Sequence, residues 1–95
     1  MNDVFRRSSG VAFRQFGSEC LLVPIRTSPT EDLAVYSLNP VGAFLWSALA
    51  EPASAEDLSA RTAAAFEVSE ADARRDVVPF LEQLLSRRLI DAVNL

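Results

Sequence analysis

Few side chains in this sequence could carry out acid–base or nucleophilic chemistry. The chain has one cysteine, Cys20, and no histidine. Cys20 lies in an apolar run with no base beside it in the sequence, and a free cysteine in such a run is usually a buried, unreactive thiol. We therefore expect no nucleophilic site at Cys20, and a single cysteine cannot form a disulfide within the chain.

Two aspartates, Asp72 and Asp76, are spaced so that both carboxylates lie on one side of a helix. Such a pair could share the roles of a general acid and a general base. Arg75 lies between them and Ser69 precedes them as a helix cap, so ion pairing and the helix dipole explain these acids better. The chain also has only three glycines and no glycine-rich phosphate loop. We expect no catalysis, no cofactor and no metal site.

The composition favours one domain, residues 1–95, with a thin core, because 49% of the residues are apolar and 23% are charged. The net charge is −4 and all nine basic residues are arginine. An acidic domain repels phosphate groups, so we expect neither nucleic acid nor an acidic membrane as a partner. The first ten residues contain no apolar segment typical of a signal peptide, and the expected location is the cytoplasm.

Three segments are predicted to form strands of a small antiparallel sheet. "VAFRQF" (11–16) and "ECLLVPIR" (19–26) flank Gly17-Ser18, a pair that suits a type II′ hairpin turn. Pro24 cannot donate to a ladder, so we expect a bulge or a strand end near it. "LAVYSL" (33–38) is the third predicted strand, after a polar loop at 27–32.

Three helices follow, each with a start signal. Asn39 suits an N-cap and Pro40 the first helical position, so the third strand should turn directly into a helix. Ser54 and Ser69 each stand three residues before an aspartate, which predicts capped starts for helices over 55–66 and 70–88. Trp46 lies off the centre of the first helix's apolar stripe, and we expect it to make a second packing contact. "LIDAV" (89–93) is predicted to be a short strand or a docked tail.

The third helix carries apolar residues over about half of its circumference. A helix with a single neighbour needs a narrower stripe, so this pattern indicates packing partners on two sides. The other helices are one partner, and the second could be the sheet or a group supplied by another molecule. Strands followed by three helices also fit a winged helix-turn-helix DNA reader, but the outer face of this helix mixes arginines with acids.

Tyr36–Ile90 contains an ordered set of short motifs: Leu38-Asn39, then Gly42-Ala43 with Trp46, then Asp76-Val77 and Phe80-Leu81. This set resembles the PqqD-like family. Three features differ from the family pattern: the Pro-Glu before the third strand is absent, a glycine before the final Leu-Ile is Arg88 here, and Pro79 interrupts the Asp-Val/Phe-Leu segment.

The resemblance implies an α+β, winged helix-turn-helix-like fold, with a three-stranded antiparallel sheet followed by three helices. It implies a non-catalytic RiPP recognition element that binds the leader of a ribosomally made precursor peptide by strand addition. The leader would be presented to a modifying enzyme, often a radical SAM enzyme. The peptide-binding residues implied on the third strand and the third helix are Ala34, Val35, Tyr36, Ser37, Leu38, Val77, Val78, Phe80, Leu81 and Leu84.

Two other functions remain open from the sequence: a winged-helix transcription regulator, and a small subunit that stabilises an enzyme complex. An open edge on the third strand would also favour a homodimer when no peptide is bound.

Overall fold

A computed structural model describes residues 3–25 and 35–94. This part of the chain contains six strands and three helices. In chain order they are β1 (Asp3–Arg7), β2 (Val11–Phe16), β3 (Glu19–Pro24), β4 (Tyr36–Leu38), α1 (Pro40–Ala48), β5 (Ala53–Ser54), α2 (Ala55–Phe66), α3 (Glu70–Ser86) and β6 (Ile90–Asn94). The fold is α+β and winged helix-turn-helix-like, as expected.

The predicted three-stranded antiparallel sheet is present, with the order β2-β3-β4. Phe16 pairs with Glu19, so the hairpin loop is the two residues Gly17-Ser18, and Gly17 has a φ of 61°. A positive φ at the first loop position is what a type II′ turn requires. Strand β3 ends at Pro24, as predicted. The predicted loop at 27–32, with Arg26, Leu33 and Ala34, lies outside the described residues.

A second sheet, in the order β5-β1-β6, was only partly predicted. Strand β6 was predicted as a possible strand, whereas β1 and β5 were not predicted. All five residues of β1 pair with β6, from Asp3 opposite Asn94 to Arg7 opposite Ile90. The first and last described strands therefore lie side by side.

The three predicted helix starts are confirmed. The side chain of Asn39 accepts a hydrogen bond from the backbone N–H of Gly42 at 2.7 Å. Ser54 and Ser69 accept in the same way from the third residue of their helices, each at 3.1 Å. Each cap satisfies a backbone donor that the helix itself leaves without a partner.

Helix α3 ends at Ser86, two residues earlier than predicted. Arg88 adopts a left-handed conformation with a φ of 59°. Its N–H donates to the carbonyl of Leu85 at 3.0 Å, and the N–H of Leu89 donates to the carbonyl of Leu84 at 2.9 Å. These two bonds define a Schellman motif, which usually has a glycine at the position of Arg88.

Within the described residues, α3 packs mainly on α2, β6 and α1. One side packs on α2 and another on β6, so the second sheet covers part of its apolar arc. Pro79 lies within α3 on its exposed surface and does not end the helix. The side chains of α3 that are fully or almost fully buried are Ala73, Val77, Leu81 and Leu84.

Trp46 makes the second packing contact that its position predicted. It is 3% exposed, and the guanidinium carbon of Arg7 lies 4.8 Å from its ring centroid. Arg7 also donates two hydrogen bonds to the Trp46 carbonyl, one of them from Nε at 3.1 Å. Partial burial lowers the pKa of Arg7, although a guanidinium remains charged at neutral pH. Arg7 thus joins β1 to the C-terminal turn of α1, where a cation is favourable.

Candidate functional site

A cavity of about 330 Å³ lies between β4, the start of α1 and one flank of α3. Its wall combines apolar and polar side chains: Tyr36, Asn39, Val41, Gly42, Leu45, Asp76, Pro79, Phe80 and Gln83. This is the corner that the Leu38-Asn39-Pro40 sequence was expected to form. The cap at Asn39 fixes the corner, because it fastens the end of the strand to the first turn of α1.

Tyr36 is held against α3 by two contacts. Its ring meets the ring of Phe80 edge-on, with centroids 6.4 Å apart and planes at 73°. The guanidinium carbon of Arg87 lies 5.1 Å from the Tyr36 centroid. Both Tyr36 and Phe80 are partly buried, so each retains surface toward the cavity. An edge-to-face aromatic pair and a cation over a ring are both favourable arrangements.

Gly42 allows α1 and α3 to approach closely beside the cavity. A Cβ atom at Gly42 would lie 3.1 Å from Cε1 of Phe80 and 3.2 Å from Cδ2 of Leu38. Both distances are tighter than ordinary van der Waals contact. The missing side chain therefore gives the Phe80 ring its place between α1 and β4.

Strand β4 is at one end of its sheet. It pairs with β3 through Tyr36, Ser37 and Leu38, and no strand in the described residues pairs with its other edge. The backbone N–H and C=O groups on that edge can accept a further strand. Tyr36 of β4 and Asn39 just after it line the cavity together with residues of α3, so a strand added to β4 would run close to α3.

The predicted helix residues are distributed differently from what the resemblance implied. Val77 and Leu84 are 0% exposed and Leu81 is 3% exposed, and all three belong to the hydrophobic core. A docked peptide could not touch these side chains without opening the core. Their burial disfavours the expected direct contact between these three side chains and a peptide.

The remaining predicted residues differ in where the structure places them. Phe80 and Tyr36 line the cavity. Val35 and Ser37 are exposed, and Ser37 is on the opposite face of β4 from Tyr36 and the buried Leu38. Val78 is partly buried and borders a separate hollow with Arg74 and Pro79. Ala34 lies outside the described residues.

Sequence reasoning missed one row of residues on α3. Asp76, Gln83 and the C-cap residue Arg87 flank Phe80 at spacings of three and four, so they form one stripe along the helix. A stripe next to an apolar arc is visible in the sequence. The pattern does not reveal which of the two flanks faces the strand, because the rotation of the helix depends on its packing.

The groups considered for catalysis are not assembled into a site in the described residues. Cys20 is only partly buried, in contrast to the expectation of full burial, and packs against the core. Asp72 pairs with Arg75 at 3.5 Å with both side chains largely exposed, as expected, while Asp76 lines the cavity. Residues 3–25 and 35–94 contain no cluster of three or more potential metal ligands. Nor does any helix in these ranges have the length and apolarity needed to cross a membrane.

Comparisons with known proteins bear on this corner directly. Residues 19–90, which include β4, α1 and all of α3, match the family described as Coenzyme PQQ synthesis protein D (PqqD). The chain belongs to the PqqD family. No curated protein sequence matches the chain.

A solved structure has the same fold as this PqqD family member. It is described as TbiB1 in complex with the TbiA(beta) leader peptide. The TM-score is 0.73 with 24% sequence identity, and the match covers 90% of this chain and 94% of the other.

Proposed function

We propose that this protein is a RiPP recognition element: a non-catalytic module that binds the leader of a ribosomally synthesised precursor peptide. The leader joins the sheet β2-β3-β4 as an additional strand along β4. The bound leader is then presented to a separate modifying enzyme, a radical SAM enzyme in the scheme that we favour. Membership of the PqqD family and the likeness to a protein solved with its leader peptide both support this proposal.

The observation that carries the proposal is that β4, whose outer edge has no partner in the described residues, also contributes Tyr36 to the cavity lining. An extended peptide on this edge would obtain backbone hydrogen bonds from the strand, whatever its sequence. Side chains on one face of the peptide would then point toward Tyr36 and Phe80, and into a cavity large enough to hold one or two of them. Backbone pairing provides affinity, and the cavity provides selection.

Strand β2 also has an edge without a partner in the described residues, but no β2 side chain borders a cavity with α3 as Tyr36 of β4 does. The cavity borders β4 and has no β2 residue in its lining. Phe13 and Phe16 of β2 are 37% and 63% exposed. A peptide on β2 would gain the same backbone bonds without a helix to select its side chains. The β4 edge is therefore the better leader site.

The test uses synthetic peptides that correspond to short reading frames encoded next to the gene. Each peptide is titrated into isotope-labelled protein while amide exchange is followed. We expect protection of amides in Tyr36–Leu38 and shifts in Asn39, Gly42 and Phe80. The amides of Gly17 and Ser18 should not change and serve as the internal control.

Two outcomes would contradict the proposal. Protection confined to β2 and the hairpin would place the peptide on the wrong edge. Failure of every such peptide to bind, together with binding of duplex DNA that weakens steeply with salt, would favour a regulator, because phosphate contacts release counterions and strand addition does not.

A further inference from the structure

The groove is the space between β4 and the stripe of α3 formed by Asp76, Phe80, Gln83 and the C-cap residue Arg87. This stripe has an acid at one end and a base at the other. Asp76 lines the cavity beside Asn39 and Val41, at the start of α1. Arg87 lies over Tyr36, at the start of β4. Both side chains are exposed, and the described residues contain no ion pair to either of them. The groove thus has one negative and one positive end.

These two charges are separated by a distance that an extended peptide can span. Asp76 and Arg87 are eleven residues apart, which is about 16 Å along a helix. A strand advances about 3.3 Å per residue, so this distance corresponds to about five peptide residues. Only alternate side chains face the same wall, so the matching peptide positions are four or six residues apart.

The direction of the strand orients this charge pattern. Strand β4 runs from the Arg87 end of the groove toward the Asp76 end. Tyr36 at its start contacts Arg87 as well as Phe80, while Leu38 and Asn39 at its end lie with Phe80 around Gly42, seven residues nearer the Asp76 end of the helix. All pairs in this sheet are antiparallel, and antiparallel pairing is slightly more stable for each residue. An antiparallel peptide would begin at Asp76 and end at Arg87.

We propose that the groove reads the order of charges in the leader: a lysine or arginine comes first, and an aspartate or glutamate follows four or six residues later. This inference rests on the proposed function. The basic side chain lies along the apolar wall of the cavity, with its charged end at Asp76. The acidic side chain meets Arg87. Asp76 and Arg87 are specificity-determining residues in this arrangement, and Tyr36 and Phe80 form the apolar floor between them.

The test is selection from a displayed library of random twelve-residue peptides on the intact protein. Enriched peptides are synthesised, and those that protect the amides of Tyr36–Leu38 are kept. Their affinities are then measured with the two charged residues in the original order, in reversed order, and replaced by glutamine. Exposed ion pairs contribute little individually, so we expect about a 5- to 25-fold preference for the original order at low salt. The preference should shrink at high salt.

A variant of the protein with the two groove charges exchanged provides a second test, in which the preferred charge order of the peptide should reverse. Asp76→Arg combined with Arg87→Glu keeps the net charge and should reverse the preferred order. The matched control, Arg74→Glu with Glu82→Arg, swaps charges at exposed positions outside the cavity lining and should leave the preference unchanged.

The outcomes separate the two proposals. Peptides that bind along β4 with no preference for the order of their two charges, or with a preference for the reverse order, would contradict the proposed recognition of charge order. They would not contradict the proposed leader site. A library that yields no peptide protecting the Tyr36–Leu38 amides would overturn the leader site, and the recognition of charge order with it.

Discussion

The ring of Tyr36 in β4 stands edge-on against the ring of Phe80 in α3, with centroids 6.4 Å apart. This contact joins the two elements that form the groove, and Gly42 leaves room for it on the α1 side. Since both rings are partly buried, the pair is at once a structural contact and part of the groove surface.

Phe80→Ala should weaken leader binding by about 1–3 kcal/mol, or roughly 5- to 150-fold, because it removes an apolar anchor at the centre of the groove. The affinity can be measured by calorimetry with a leader peptide that protects β4. Val78→Ala is the matched control, since Val78 is also partly buried on α3 but lies outside the cavity. Equal losses for the two variants would contradict the assignment of the groove.

Leu81→Ala should act on folding instead of binding. Leu81 is 3% exposed within the core, and truncation of a buried leucine costs about 2–5 kcal/mol. Urea unfolding should show this loss, and the folded fraction should bind leader with nearly normal affinity. Normal stability with a large loss of affinity would instead show that the Leu81 side chain reaches the peptide.

Arg88→Gly should stabilise the protein by about 0.5–1 kcal/mol. Arg88 has a φ of 59°, a conformation that costs a non-glycine residue about 1–2 kcal/mol, and the greater freedom of glycine in the unfolded chain offsets only part of this gain. Arg87→Gly is the control, because Arg87 has a φ of −93° and should lose stability as a glycine. A higher urea midpoint for the Arg87 variant than for the Arg88 variant would disprove this account.

Arg7→Ala should destabilise the protein by about 1.5–3 kcal/mol, the range for a hydrogen bond to a charged group. The substitution leaves the Trp46 carbonyl without its guanidinium partner and uncovers the indole ring. Trp46 is the only tryptophan, so its fluorescence reports both the local change and global unfolding. The exposed neighbour Arg6 serves as the control, and Arg6→Ala should change stability by no more than about 0.5 kcal/mol.

The free protein should self-associate through β4, because an open strand edge can pair with a second copy. Sedimentation over a wide concentration range should show dimer that dissociates when leader is added. Ser37→Lys places a charge on the exposed face of β4 and should shift the equilibrium toward monomer, while Gln15→Lys on β2 should not. A dimer that persists with bound leader would place the self-association elsewhere.

Local chemistry explains which parts of the fold the sequence predicted well. The starts of α1, α2 and α3 were predicted to the residue, because each depends on one cap side chain that bonds within three residues. The hairpin at Gly17 is equally local. Strand β1 was missed because its partners, β5 and β6, are far away in the sequence. The end of α3 was placed too late because the left-handed residue that stops it is an arginine, which carries no such signal.

The groove was predicted only in part for a related reason. The resemblance identified β4 and α3, and Tyr36 and Phe80 do line the cavity. Val77, Leu81 and Leu84 lie in the core, and the sequence could not show this because an apolar arc does not distinguish core-facing from groove-facing residues. Asp76, Gln83 and Arg87 were not assigned because polar flanks look alike until the helix is docked against a strand.

The pairing of β1 with β6 has a consequence for how this domain can be joined to other polypeptides. Opposed residues in an antiparallel pair have Cα atoms about 5 Å apart, so Asp3 and Asn94 are near neighbours. The groove belongs to the other sheet. A host protein could therefore receive the whole domain as an insert in a single surface loop, entering and leaving at almost the same point. The domain would then be tethered at the β1–β6 pair, with the edge of β4 still open.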